Sequence, residues 1–95
     1  MHEIRITTTV ADQSTTTVLP YEFGSQEEAI EFLEDYILVE LGNLYDELRK
    51  LGDRTTALVE PASHRSMRRT VTGTSRKDGR SPITGTTTVS VTRVA

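Results

Sequence analysis

The sequence predicts an α+β fold, a two-layer ββαβββ domain with one long helix packed on an antiparallel sheet. Three observations carry that expectation. Threonine-rich runs of period two stand on both sides of a central segment; only that segment repeats its apolar residues at threes and fours; and turn residues separate the runs at short intervals. Ninety-five residues support a single modest core, so residues 1–95 are read as one domain.

The first run, EIRITTTV at 3–10, puts Ile4, Ile6, Thr8 and Val10 on one side and Arg5, Thr7 and Thr9 on the other. That is the pattern of a half-buried strand. ADQS reads as a turn, and TTTVL returns as a second strand that stops at Pro20, which has no N–H to give a ladder.

The central segment predicts a helix over 26–51. Ser25 is the expected N-cap, with Glu28 completing a capping box. Glu27 and Glu28 complement the positive end of the helix dipole, Arg49 and Lys50 the negative end. Gly52 is placed to supply a left-handed residue at the close. Ala29, Ile30, Leu33, Ile37, Leu41, Leu44, Leu48 and Leu51 fill a stripe about 120° wide, the face expected against the sheet.

Three further strands are expected. RTTALVE at 54–60 is stopped by Pro61. RSMRRTVTGT at 65–74 follows, then an Asp-Gly loop, SRKDGRSP, and a last strand from Ile83. Sixteen residues are threonine, and Thr7, Thr9, Thr15, Thr17, Thr70, Thr72, Thr88 and Thr92 are assigned to the sheet face away from the helix. An exposed strand position favours a β-branched residue that tolerates water, and that reading outweighs a hydroxyl-rich docking face.

Composition removes several function classes. With no cysteine, disulfides and thiolate zinc sites are excluded. His2 and His64 stand far apart without neighbouring ligands, so no metal is expected, and no phosphate loop or other cofactor motif occurs. No nucleophile elbow or base–carboxylate arrangement is present, and a non-enzymatic role is expected. The start of the chain does not read as a signal peptide, and no strictly apolar run is longer than the three residues of Ile37–Val39. No membrane partner and a cytoplasmic location are the corresponding expectations.

Charge is divided unevenly: residues 1–50 sum to −8 and residues 51–95 to +5. Part of the basic stretch 64–80 is expected to balance the helix, with Arg65 and Arg69 reaching Glu40 or Glu47. Arg68, Arg76, Lys77 and Arg80 remain for an outside anion, which makes nucleic-acid binding by the 65–80 strand and loop the alternative function. Against it stand a pI of 5.3 and no aromatic residue beyond Tyr45 to stack a base. The leading reading lies on the helix. Phe32, Tyr36 and Val39 on one flank, with Leu38 and Tyr45 on the other, make YILVEL apolar over more of its circumference than one sheet covers. Unless the 75–85 loop or the Tyr21–Phe23 approach packs over one flank, they are the expected interface for a partner protein or a second copy, in an accessory or inhibitor-type protein of bacterial or phage origin.

Overall fold

The computed structural model describes residues 1–94. Its elements are β1 (His2–Val10), β2 (Gln13–Val18), α1 (Gln26–Arg49), β3 (Arg54–Val59), β4 (Arg68–Arg76) and β5 (Ile83–Arg93). The strands form one antiparallel sheet in the order β2-β1-β5-β4-β3, and the helix lies on one face. This is the expected α+β two-layer architecture, in a body about 50 × 24 × 15 Å.

The β1–β2 hairpin turns through only Ala11 and Asp12, with Val10 opposite Gln13. So tight a turn needs a left-handed residue at its first position, and Ala11 takes that role at φ 54°. The turn sets the phase of β2. Thr16 lies opposite Thr7 and Thr17 opposite Ile6. Ser14, Thr16 and Val18 therefore face away from the helix, while Thr15 and Thr17, expected there, are on the helix side. Three successive threonines carry no phase of their own, so only the turn could settle it.

Ser25 caps α1 as expected, its Oγ accepting the Glu28 N–H at 3.2 Å. The helix ends at Arg49, two residues early, and Gly52 is not left-handed. Gly52 is small for another reason. A Cβ there would stand 2.6 Å from Ser75 Oγ and 2.7 Å from the Arg76 carbonyl oxygen. The core joins Ile4, Ile6, Val71, Val89 and Val91 of the sheet to Ala29, Ile30, Leu33, Ile37, Leu44 and Leu48 of the helix.

Leu44 and Leu48 rest on Gly73 and Gly85, which face each other across β4 and β5. The helix thus lies over β3, β4 and β5, reaches β1, and makes no contact with β2, which is exposed along its length. β4 is displaced from expectation. It begins at Arg68, because Arg65 sits in a turn at φ 59°, and it runs on through Ser75 and Arg76. The β4–β5 turn is closed by Arg80 N–H on the Lys77 carbonyl and by Gly79 at φ 76°.

Ala11→Gly should stabilise the fold by about 0.5–1 kcal/mol. The relief of a left-handed alanine, about 1–2 kcal/mol, exceeds the added freedom of the unfolded chain. Urea unfolding of the two proteins measures it; a lower midpoint for the glycine form contradicts the strain assignment.

Candidate functional site

Beyond Leu19, whose N–H still bonds the Ile4 carbonyl, the chain bulges at Pro20 and rejoins β1 where Phe23 and His2 exchange backbone hydrogen bonds. This brings Phe23 onto the helix side. The Phe32 ring lies 5.2 Å from that of Phe23, 5.7 Å from Tyr21 and 5.4 Å from Tyr36. Four aromatic rings therefore close over the β1 flank of the first helical turns. Phe32 and Tyr36, expected to share a free ridge with Val39, are half-buried in this cluster.

The same flank then turns polar. The Tyr36 hydroxyl donates to Glu40 Oε1 at 2.8 Å, and Asn43 Nδ2 donates to the same oxygen at 3.4 Å. Burial, reinforced by the Glu40 carboxylate, pushes the Tyr36 phenol up to about 12. Past Glu40 an open groove of about 690 Å³ separates the helix from the β1–β2 hairpin. Glu40, Asn43 and Glu47 form one wall, with Thr8, Val10 and Gln13 opposite. It exists because the helix stops short of β2.

On the solvent side, Leu38 and Val39 are 63% and 51% exposed, and Tyr45 is exposed beside them. Between Tyr36 and Tyr45 the one charged residue is Glu40, and it is buried. The middle of the helix therefore shows solvent a crest of Leu38, Val39, Gly42 and Tyr45 without charge. Glu31, Glu34 and Asp35 stand before it and Asp46 and Glu47 after it. The wide apolar circumference was legible in the sequence. Its division into a covered part and a bare part depended on where residues 21–23 lie.

The basic residues are separated. Arg76, Lys77 and Arg80 gather at the β4–β5 turn beside Arg54, which is opposite Arg76 and pairs with Asp78 at 3.1 Å. Arg68, at the other end of β4, is about 26 Å from Arg76 at the rise of a strand. Arg65 pairs with Glu27 at 3.5 Å rather than with Glu40 or Glu47, which face the β1–β2 hairpin on the opposite flank. The Arg69 Nε is buried without a hydrogen-bond partner. On the outer sheet face, hydroxyls pair across strands at Thr7–Thr16, Thr9–Ser14 and Thr56–Thr74, at 3.3, 2.7 and 3.2 Å.

Among the described residues, no three His, Asp or Glu side chains converge as a metal site, and no helix is long and apolar enough to cross a membrane. No family model matches this chain, and no curated protein or solved structure matches it either.

Phe32→Ala should cost about 3 kcal/mol, because it opens the aromatic cluster against the core. A denaturant melt indistinguishable from wild type contradicts that packing. The raised Tyr36 pKa also sets a pH dependence. The unfolded phenol ionises near 10 and the folded one near 12, so the unfolded state loses its proton first and stability falls as pH rises from 10 to 12. Tyr36→Phe should remove the tyrosinate absorbance that appears near pH 12 in the wild-type chain.

Proposed function

We propose that this chain is a small non-enzymatic interaction module of the accessory or inhibitor type, acting in the cytoplasm, that docks a partner protein through its helix. The supporting observation is the charge-free crest formed by Leu38, Val39, Gly42 and Tyr45 on an otherwise acidic helix. A soluble helix normally places charge on its solvent face, and large apolar side chains grouped there mark a contact surface. Gly42 adds a second indication. A mid-helix glycine costs about 1 kcal/mol against alanine, and open space lies beside it, where a partner's backbone can come close. The acids at both ends favour a partner whose apolar ridge is bordered by Lys or Arg. Nucleic-acid binding by Arg68, Arg76, Lys77 and Arg80 has less support. Arg68 is remote from the other three, and the outward positions of the strands carry no aromatic residue.

The test is capture of the partner from the source cell by the wild-type chain and by Leu38→Glu with Val39→Glu. Both positions are exposed, so the variant should melt within about 0.5 kcal/mol of wild type per substitution while losing the captured protein. Undiminished capture of the same protein by the folded variant rejects the crest as the docking site.

A further inference from the structure

We infer that the free edge of β3 pairs with β3 of a second copy, joining two sheets into one of ten antiparallel strands. β3 is the last strand in the sheet order, so one side of its backbone has no partner among the described residues. Which groups are free follows from the ladder. The Glu60 N–H donates to the Thr70 carbonyl at 2.8 Å, so this residue turns its backbone groups toward β4. Antiparallel pairs alternate between hydrogen-bonded and non-bonded. Leu58, Thr56 and Arg54 therefore also face β4, leaving the N–H and C=O groups of Thr55, Ala57 and Val59 pointing away from the sheet.

Three donors and three acceptors centred on Ala57 form a self-complementary set. A two-fold axis through Ala57 places Thr55 opposite Val59 of the second copy and Ala57 opposite itself, using every free group. Shifting the register by two residues loses part of that set, and shifting it by one puts the side chains on the wrong face. The remaining pairs fall at the closer, non-hydrogen-bonded positions on the outer face. There Arg54 meets Glu60 of the second copy twice, and Thr56 meets Leu58 twice. Opposite charges come together at both ends of the joint. Leu58, 56% exposed on the single chain, gains cover at its middle.

Nothing along the strand resists this pairing. Edge strands are usually guarded by lysine, proline or an inward charge, and Thr55–Val59 has none of them. The Arg54–Asp78 pair is exposed on both sides and is too weak to hold Arg54 back. β2, the other free edge, is a poorer candidate. The Leu19 bond to Ile4 leaves Ser14, Thr16 and Val18 with the free groups, and symmetric pairing about Thr16 sets Asp12 against Pro20, with no charge to match.

This inference is independent of the helix crest and is tested at different residues. Light scattering on the wild-type chain at concentrations up to about 100 μM should approach twice the 10.6 kDa chain mass. Arg54→Glu alone and Glu60→Arg alone should each weaken the dimer about tenfold or more, since each places like charges opposite twice. Combining them restores opposite charges and should recover the dimer, which a purely structural role for either residue would not do. Ala57→Pro should leave a folded monomer, because its N–H is not used in the ladder to β4. A wild-type monomer throughout the range, a dimer indifferent to Ala57→Pro or to the single charge changes, or an open polymer through both edges would each overturn the inference.

Discussion

Two leucines seated over two glycines set the geometry of this protein. Gly73 and Gly85 are partners across β4 and β5, and Leu48 and Leu44 occupy the space their missing side chains leave. A Cβ at Gly73 would lie 2.7 Å both from Leu48 Cδ1 and from the Thr56 carbonyl oxygen, so neither the helix nor β3 leaves room for it. The helix comes close to the sheet at this point, and the point is off-centre. From that follow the cover over β3, β4 and β5, the bare β2, and the groove beside Glu40. An apolar helix face of fixed width cannot cover five strands, so the place where it touches down decides which surfaces stay open.

The charge division found in the sequence becomes a division between layers. Acidic residues dominate the helix, while Arg54, Arg68 and Arg76 point outward from the opposite face of the sheet. Of the ion pairs among the described residues, only Arg65–Glu27 joins the 60–67 loop to the helix; Arg5–Glu3, Lys50–Glu47 and Arg54–Asp78 stay local. The balance expected between the basic stretch and the helix is thus small. Strand alternation sends every second side chain away from the helix, beyond the reach of its carboxylates. What remains is a molecule with an acidic face and a hydroxyl-rich face bordered by arginine. Cross-strand hydroxyl pairs account for part of its threonine content without requiring a ligand.

The two open features differ in physical kind. The helix crest is a side-chain surface, where apolar area is bare and the proposed docking would draw its selectivity from the acids around it. The β3 edge is a backbone surface, where direction and register come from hydrogen bonds and charge acts only at the ends. They occupy different parts of the molecule, so a chain paired through its edges retains a crest on each copy.

The helix, its N-cap, the number of strands and the α+β class were determined by the sequence alone. Each rests on local pattern: Ser25 before a glutamate-rich first turn, leucines at threes and fours, β-branched alternation between turn residues. The excess of apolar residues on the helix was legible for the same reason. Only the tertiary structure decided that Tyr21 and Phe23 pack on Phe32, against which Tyr36 stacks, while Leu38, Val39 and Tyr45 stay bare. It alone also decided the strand order, the phase of Thr15–Thr17, and the partner of Arg65. Those facts depend on residues distant in the chain, and a run of identical threonines or a lone arginine contains no local preference among such partners. Gly73 and Gly85 show the limit most plainly, because their smallness is required by leucines on another element that no neighbouring residue announces.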